Sequence, residues 1–317
     1  MSTDRIGIVW NPSKTTREEL ESALGKALSG QEAPEVRWFE TSKDDPGRAA
    51  TQEALDAGSD VVLAAGGDGT VRAVAEHLAD TDAGAELGVI PLGTGNLLAR
   101  NLGIPLNDLS AAFTRALTGV AQSIDVGWAE VTLPEGAQRY AFVVMAGFGI
   151  DAHMITETDD GLKDRAGWLA YVESLGRAVS ASEVIGIRLV DAGGEASEEQ
   201  AHTLLIGNCG MLQGGITLLP DANPSDGELD LLVLSADGIT GWMDTLRNMA
   251  WDNGLKRLLA RGDAAESAES SDTAVHRRLT HLTIELDEPR VFEVDGDDIG
   301  ETTRIEVSIQ PGGVRVR

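Results

Sequence analysis

The sequence predicts an α/β protein of two domains, with a parallel sheet over residues 1–121 and a β-rich, antiparallel, sandwich-like domain over residues 122–317. Strand and helix patterns alternate through the first hundred residues, and this order favours a parallel sheet covered by helices. Strand patterns then follow one another with few helices between them, which favours antiparallel pairing. The length of 317 residues suits two domains of roughly 100–200 residues each.

The N-terminal elements follow from short apolar runs that end in turn residues. Strands are predicted at residues 5–10, 36–40, 60–65 and 87–90. Helices are predicted at residues 16–28, 47–57, 71–79 and 96–102, and Thr16 and Glu19 predict a capping box for the first of them. Open parallel sheets bind ligands outside the carboxyl ends of their strands. The glycine- or asparagine-rich turns after residues 10, 65 and 90 all lie at such ends.

The second half contains eight strand patterns and two substantial helical patterns. Strands are predicted at residues 123–133, 140–145, 184–190, 203–207, 229–234, 279–286, 291–294 and 303–309. Helices are predicted at residues 161–180 and 239–260, and the acidic, serine-rich residues 262–273 predict a mobile loop. The C-terminal strand is a candidate to return to the first domain.

The chain carries 52 acidic residues against 25 lysines and arginines, a formal net charge of −27. Such a charge opposes binding to a phosphodiester backbone, so we expect no nucleic-acid partner. The single cysteine, Cys209, excludes an internal disulfide and is interpreted as a small buried thiol. The sequence shows no charged-then-apolar leader and no apolar run near the roughly 20 residues of a membrane span. We therefore expect a cytoplasmic protein.

The first motif, Gly66-Gly67-Asp68-Gly69-Thr70, joins a predicted strand to a predicted helix. Glycines let the backbone turn at positive φ and let a ligand approach without a Cβ in the way. Consecutive N–H groups at a helix start favour phosphate, and Thr70 adds a hydroxyl donor. A carboxylate beside phosphates is repulsive unless a cation or hydroxyl intervenes, so Asp68 indicates Mg²⁺ or a water network linked to it. The alternative is a tight turn in which Asp68 only caps the helix.

The second motif, Pro91-Leu92-Gly93-Thr94-Gly95-Asn96, lies between the next strand and helix. Alone, this motif fits a structural turn as well as a ligand site. Beside the first motif, it would close over a nucleotide from the other side. Neither motif is a GxxxxGK[ST] or GxGxxG loop, which argues against an ordinary P-loop or dinucleotide-binding site.

Together the two motifs resemble the diacylglycerol kinase catalytic family, which includes bacterial lipid kinases and the sphingosine and ceramide kinases. The resemblance continues along nearly the whole chain. Its further matches are Asn11-Pro12, Thr41, Ile124-Asp125-Val126-Gly127, Gly147-Phe148-Gly149-Ile150-Asp151, Asp226-Gly227 with Leu229-Asp230, and Val294-Asp295-Gly296. The resemblance implies an NAD kinase/diacylglycerol kinase-like nucleotide-binding domain followed by a β-rich domain for a lipid substrate.

The resemblance also implies catalytic roles. Asp295 is implied as the general base that takes the proton of the lipid hydroxyl, with Asp297 as its partner. Asp68 and Asp125 are implied to belong to the network that holds catalytic Mg²⁺. The nucleotide contacts expected from the two motifs and the resemblance are Asn11, Thr41, Gly66, Gly67, Asp68, Gly69, Thr70, Gly93, Thr94, Gly95 and Asn96.

A second, structural Mg²⁺ is implied at Asp226, with the backbone carbonyls of Asn223 and Glu228 as further ligands. Three positions depart from the family pattern. Val71-Arg72-Ala73 stands where the helix often begins with Asn-Glu, Leu97 stands where many members have aspartate, and Asp297 replaces the glutamate of Asp-Gly-Glu. Arg72 is the one obvious cationic side chain near the glycine turns, so Mg²⁺ is expected to supply most of the positive charge.

The expected activity is that of an ATP- and Mg²⁺-dependent kinase of diacylglycerol or another long-chain alcohol, with transient contact at the membrane surface. The nucleotide would lie between the two domains, and the lipid would lie in an apolar cleft of the β-rich domain. Two alternatives stay open. One is a kinase of a soluble substrate, since NAD kinase has a GGDG-type turn, and the other is a non-enzymatic regulator that binds nucleotide or lipid. A homodimer is compatible with the sequence.

Overall fold

The fold is described from a computed structural model of the chain. It describes residues 5–29, 34–149, 184–212, 217–234 and 274–317. The predicted helices at 161–180 and 239–260 and the predicted loop at 262–273 lie outside these ranges. Within them the predicted fold class is confirmed, because helices flank a parallel sheet in the N-terminal half and antiparallel strands form the other half.

The described residues form fourteen strands and five helices. The strands are β1 (Arg5–Trp10), β2 (Glu35–Glu40), β3 (Val61–Gly66), β4 (Glu86–Pro91), β5 (Gln122–Leu133), β6 (Gly136–Phe142), β7 (Met145–Phe148), β8 (Ile185–Asp191), β9 (Ala196–Ala201), β10 (Thr203–Gly207), β11 (Leu229–Leu234), β12 (Ala274–Leu279), β13 (His281–Val294) and β14 (Asp297–Val316). The helices are α1 (Arg17–Ala27), α2 (Arg48–Asp56), α3 (Asp68–Thr81), α4 (Leu97–Asn101) and α5 (Leu109–Thr118).

One mixed sheet runs through both halves of the chain. Its strand order is β12-β11-β10-β7-β13-β14-β4-β3-β1-β2, with β5 and β6 attached beside β14, and β8 and β9 attached beside β13. The strands β1 to β4 pair in parallel. β14 joins the halves, since it pairs in parallel with β4 through Val316 and Leu87 and antiparallel with β13 and β5. The C-terminal strand therefore returns to the N-terminal sheet.

Local sequence accounts for the N-terminal elements. The capping box of α1 is present, since the Thr16 hydroxyl accepts the Glu19 N–H and the Glu19 carboxylate accepts the Thr16 N–H, both at 3.3 Å. β3 is buried along its whole length, as a parallel strand covered on both faces requires. No helix in the described ranges is long and apolar enough to cross a membrane.

Two hydrophobic cores lie against the sheet. The first packs the helices onto the parallel strands and includes Ile8, Leu63 and Phe113. The second fills the antiparallel half and includes Ile284 and Phe292. β5 and β7 contribute side chains to both cores. These shared strands and the continuous sheet fix the turns of the first half relative to the hairpins of the second.

Three predictions about the second half need correction. The predicted strand at 140–145 is two strands, because the chain bends at Val143 and Val144 between β6 and β7. The predicted strands at 279–286 and 291–294 form one strand, β13, whose register shifts between Glu285 and Arg290. The strands β9 and β12 of this half, and the helix α5 of the first half, are present without a prediction. For α5 a signal does exist, since the Asp108 side chain accepts the Ala111 N–H at 3.0 Å as an N-cap.

Candidate active site

The two glycine-rich turns lie side by side at the carboxyl edge of the parallel sheet. β3 ends at Gly66 and β4 at Pro91, and these residues are register partners. The Leu92 N–H donates to the Gly66 carbonyl at 2.8 Å, which continues the pairing past the strand ends. Asn11 and Thr41 lie at the same edge, because they directly follow β1 and β2. The structure therefore brings the expected nucleotide contacts to one edge of the sheet.

Glycine is required where the two turns meet. A Cβ on Gly93 would lie 2.8 Å from the Gly67 Cα, a distance that only a backbone shift could relieve. Gly67 is also the N-cap of α3, and it supplies no side-chain hydrogen bond to that helix. The Asp68 N–H interacts with its own carboxylate, and a helix start whose N-cap residue has no side chain suits a phosphate.

Asp68 fastens the second turn to the first. Its Oδ2 accepts the Asn96 N–H at 2.8 Å and its Oδ1 accepts the Leu97 N–H at 2.6 Å. Asn96 has a left-handed φ of 48° and precedes α4, so the carboxylate satisfies free amides at the start of that helix. Burial raises the pKa of Asp68 above its usual value, against the lowering effect of the Leu97 and Asn96 amides and of its own amide. Asp68 therefore holds α4 in place, and it does more than cap its own helix.

A hairpin between β13 and β14 carries Asp295. Val294 and Asp297 are register partners, so Asp295 and Gly296 form a two-residue turn. Their φ angles of 49° and 86° are those of a type I′ turn, for which Asp-Gly is a preferred pair. The Asp-Gly dipeptide between two strand patterns is therefore a sequence signal for this hairpin, in addition to its place in the family motif.

Three backbone amides bind the Asp295 carboxylate. Oδ2 accepts the Val143 N–H, and Oδ1 accepts the N–H groups of Val144 and Met145, all at 2.9 Å. These amides come from the bend that separates β6 from β7. Asp295 is only 4% exposed, and its burial raises its pKa to about 6, against the lowering effects of the amides and of Arg72. The carboxylate is fixed in place and titrates in a range suited to a base near neutral pH.

Asp297 connects this hairpin to the first glycine turn. Arg72 of α3 donates from Nη2 to Asp297 Oδ2 at 2.6 Å. The same oxygen lies 3.3 Å from the point where a Cβ on Gly69 would stand. The hairpin with Asp295 and the turn at the start of α3 therefore lie against each other.

Asp125 anchors a separate loop. Its carboxylate accepts the N–H groups of Gly227 at 2.8 Å and Gly312 at 2.7 Å. Its own N–H donates to the Pro224 carbonyl at 2.7 Å. Asp125 therefore ties residues 223–228 and the bulge of β14 to β5.

A catalytic Mg²⁺ held by Asp68 and Asp125 stays a prediction, and the carboxylates of the site have protein contacts of their own. The carboxylates of Asp68, Asp125 and Asp295 each bind backbone amides. Among the described residues, no group of three or more His, Cys, Asp or Glu side chains is arranged to hold a metal ion.

The segment expected to hold structural Mg²⁺ has a cationic side chain beside it. Asp226 accepts the Glu228 N–H at 3.1 Å, and the Asn223 carbonyl lies 3.4 Å from the Asp226 nitrogen. The Arg278 guanidinium lies 3.7 Å from the Asp226 carboxylate and 3.2 Å from that of Glu228. Arg278 therefore already offsets negative charge at this loop, and structural Mg²⁺ stays a prediction.

An apolar cavity of about 70 Å³ opens beside the hairpin. Gly296 and Met145 line it on the hairpin side, and the Met145 N–H binds the Asp295 carboxylate. The remaining walls include Leu97, Phe148, Leu205, Leu212 and Leu218. The space is larger than one water needs, and its carbon-rich walls offer water few partners. The cavity therefore suits apolar substrate atoms next to a buried carboxylate.

Comparison with known proteins identifies the family. The diacylglycerol kinase catalytic domain matches residues 5–129, and the YegS C-terminal NAD kinase beta sandwich-like domain matches residues 143–317. The chain belongs to the diacylglycerol kinase catalytic family. It is accordingly a phosphotransferase with an alcohol group as acceptor, and the resemblance stated from the sequence is confirmed.

Relatives match the chain over most of its length. A Pseudomonas aeruginosa protein named "Probable lipid kinase YegS-like" is 31% identical over 100% of this chain and 95% of its own. The diacylglycerol kinase of Bacillus subtilis is 30% identical over 73% of each chain. A crystal structure of a diacylglycerol kinase from Bacillus anthracis superposes with a TM-score of 0.69 at 21% identity, covering 99% of this chain and 96% of that one. This last likeness supports the fold of the family.

Some contacts of the site carry no sequence signal. The amides of Val143, Val144 and Met145 lie within an unbroken apolar run, so no pattern marks them as ligands of a carboxylate. Asn101 is another such residue, since its side chain donates to the Met211 carbonyl at 2.8 Å and accepts the Met211 N–H at 3.0 Å. This pair ties α4 to the segment that lines the cavity. Cys209 is buried, as expected, and burial raises the pKa of its thiol well above the usual value.

Proposed function

We propose that the chain is an ATP- and Mg²⁺-dependent kinase that transfers the γ-phosphoryl group to the hydroxyl of diacylglycerol or a related long-chain lipid alcohol. The observation that carries the proposal is the position of Asp295. Its buried carboxylate accepts the Met145 N–H, and Met145 and Gly296 line the apolar cavity. Asp297, on the same hairpin, lies beside Gly69 of the turn Gly66–Thr70. A base in that position can meet a hydroxyl whose apolar chain enters the cavity.

The nucleotide phosphates are proposed to bind at the two glycine turns. The start of α3 has no side-chain cap from Gly67, and the backbones of Gly67 and Gly93 approach so closely that a Cβ on Gly93 would collide, so the two turns offer closely packed backbone to a phosphate. Thr41 supports a polar ligand at the same edge, because its hydroxyl is buried and has no hydrogen-bond partner in the described part of the chain. Such an orphan hydroxyl is costly unless a ligand or water satisfies it.

Phosphoryl transfer asks the protein for positioning, charge neutralisation and a proton acceptor. The acceptor oxygen forms a bond to the γ-phosphorus, and the bond from that phosphorus to the β,γ-bridging oxygen breaks with its electron pair left on ADP. The hydroxyl proton moves to Asp295. Oδ1 already accepts two amides and Oδ2 accepts one, so Oδ2 is the atom with a lone pair left for the proton.

Magnesium is proposed to offset the phosphate charge. Asp68 and Asp125 are the residues that would hold it, as the family resemblance implies. When bound, Mg²⁺ would polarise the phosphoryl oxygens. Asp68 fits a supporting part, because its carboxylate already orients the second turn. Residues 1–121 are proposed to bind the nucleotide and residues 122–317 the lipid, with transient contact at a membrane surface.

Product identification tests the proposed function. The purified chain is incubated with radiolabelled ATP, Mg²⁺ and vesicles that contain a total lipid extract, and a parallel sample contains NAD as a soluble acceptor. We expect label in a phosphorylated lipid, and we expect chelation of Mg²⁺ to abolish it. Label in NAD alone, or nucleotide binding with no labelled lipid, would overturn the proposal.

The cavity makes a second testable prediction. Leu212→Trp places a larger side chain in the cavity wall, so long acyl chains should lose their space next to Asp295. We expect the ratio of kcat/KM for long-chain over short-chain acceptors to fall at least about tenfold. The matched control is Leu102→Trp, because Leu102 is half-buried at the end of α4 and is not among the residues that line the cavity. An unchanged ratio in a folded Leu212→Trp protein would remove the cavity from the acyl-binding site.

A further inference from the structure

Arg72 is a largely buried cation at the contact between the turn Gly66–Thr70 (the phosphate turn) and the hairpin that carries Asp295. Its side chain is 12% exposed, on the first turns of α3. Nη2 donates to Asp297 at 2.6 Å, and Nη1 lies 3.5 Å from Glu76 one turn along the helix. The Nε–H is buried and has no hydrogen-bond partner among the described residues.

A buried arginine with an unsatisfied donor is expected to lower the free energy of unfolding, so stability alone does not account for it. Removing a guanidinium from water costs several kcal/mol before its partners compensate, and an unsatisfied buried donor adds about 1–3 kcal/mol. Asp297 compensates only in part, since its own side chain is 48% exposed. Glu76 already has a second arginine partner, Arg48, at 3.1 Å. The position of Arg72 is therefore better explained by what it does for its neighbours.

Those neighbours are the two halves of the transfer site. Asp297 is the first residue of β14 and closes the two-residue turn that carries Asp295. Its carboxylate binds Arg72, and its Oδ2 lies 3.3 Å from the point where a Cβ on Gly69 of the turn Gly66–Thr70 would stand. The Arg72–Asp297 pair therefore joins residues that are 225 positions apart in the chain across the proposed ATP–lipid boundary.

We propose that Arg72 is a positioning residue of the phosphoryl-transfer site, which holds the Asp295 hairpin against the phosphate turn through Asp297 and supplies a fixed positive charge next to the base. This inference rests on the proposed kinase function for its catalytic consequence. Arg72 forms no bond to the substrate in this role. It fixes the position of the Asp295 carboxylate and places a positive charge near it.

Electrostatics at Asp295 agree with this geometry. Arg72 faces Asp295 from α3, Asp297 shares its hairpin, and Cys209 faces it from the segment after β10. Cys209 stays neutral because burial raises the pKa of its thiol. Arg72 lowers the pKa of Asp295 and so opposes the effect of burial. Without Arg72, a larger share of Asp295 would be protonated near neutral pH and unable to accept a proton.

The first arm of the test measures the carboxyl group directly and needs no activity. The Asp295 titration is followed by ¹³C NMR of labelled carboxyl groups and assigned by its absence in Asp295→Asn. We expect Arg72→Met to raise the pKa of Asp295 by about one unit, and Arg72→Lys to restore most of the difference. Arg48→Met is the matched control, since Arg48 also pairs with Glu76 but does not contact the hairpin. An unchanged titration in Arg72→Met overturns the inference.

The second arm measures kinetics over a range of pH. Arg72→Met should lower kcat by about 10–100-fold with KM for ATP changed by less than about threefold, because the base is displaced while the glycine turns remain. The acidic limb of its pH profile should move to higher pH, and Asp297→Asn should lower kcat further only slightly in the Arg72→Met background. Equal losses from Arg48→Met would contradict the role. The two proposals can fail separately. If Arg72→Met shifts the titration of Asp295 but neither the native chain nor any variant phosphorylates a lipid, the proposed function is rejected and the positioning role of Arg72 stands.

Discussion

Asp295→Asn is expected to lower lipid phosphorylation by about 10²–10⁴-fold while ATP binding changes little. The amide cannot take a proton from the acceptor hydroxyl. Asparagine tolerates the left-handed backbone at this position, where φ is 49°, so the hairpin turn should be retained. Turnover with a lipid acceptor and calorimetric ATP binding measure the two effects on the same preparation.

Asp298→Asn is the matched control for this substitution. Asp298 lies on the same hairpin and is exposed, with Glu293 as its register partner. We expect near-native turnover from it. Near-native turnover from Asp295→Asn as well would exclude Asp295 as the base and leave its three amide contacts with a purely structural purpose.

The pH dependence of Asp295 has opposite signs for activity and for stability. Activity requires the ionised carboxylate, so it should fall as the pH drops below about 6. The pKa is raised from 3.8 to about 6 in the folded state, so folding favours the protonated form. The stability contribution is therefore complete below the unfolded pKa and is lost as the pH rises through about 6. The whole loss amounts to roughly 3 kcal/mol, of which about 2 kcal/mol falls between pH 4.5 and pH 7.5. Urea unfolding at these two pH values should show this difference in the native chain and not in Asp295→Asn.

The N-terminal half could be predicted closely from the sequence because its signals are local. β1, which ends next to Asn11, has the predicted bounds, and the two glycine turns fall at strand ends as the alternating pattern requires. The capping box of α1 follows from Thr16 and Glu19, three residues apart. Signals of this kind come from residues within one helical turn or at one strand end, so they can be recognised in a single sequence.

The hydrogen bonds that hold the site together could not be predicted, because the residues that they join are distant in the chain. At the bend of Val143 and Val144, three amides point toward Asp295, which lies about 150 residues later in the chain. The bend lies in an uninterrupted apolar run, so the sequence gives no sign of it. The family resemblance implies that Asp68 and Asp125 belong to the Mg²⁺ network, which stays a prediction, but it gives no sign of the amides that they bind. In the structure the first binds the amides of α4, and the second binds a loop one hundred residues away.

Asp68→Ala is expected to reduce activity by about 100-fold or more, and added Mg²⁺ should not restore it. The carboxylate binds the Asn96 and Leu97 amides, so its removal leaves two partly buried donors unsatisfied and frees the second turn from the first. We expect the free energy of unfolding to fall by about 2–4 kcal/mol and the Kd for ATP to rise. Asp68→Asn keeps one acceptor oxygen and should give an intermediate loss. Activity is measured over a Mg²⁺ titration, and stability by urea unfolding.

Asp108→Ala separates this effect from the loss of any helix cap. Asp108 caps α5 through the Ala111 N–H at 3.0 Å, outside the glycine turns, so its removal should cost about 1 kcal/mol of stability and leave activity unchanged. The Mg²⁺ titration decides between the two roles of Asp68. If high Mg²⁺ returns Asp68→Ala to near-native turnover, the carboxylate serves mainly the ion, as the family resemblance implies. If Mg²⁺ has no effect while ATP binding is weak, the carboxylate serves the turn, and the ion must take its ligands chiefly from the phosphates.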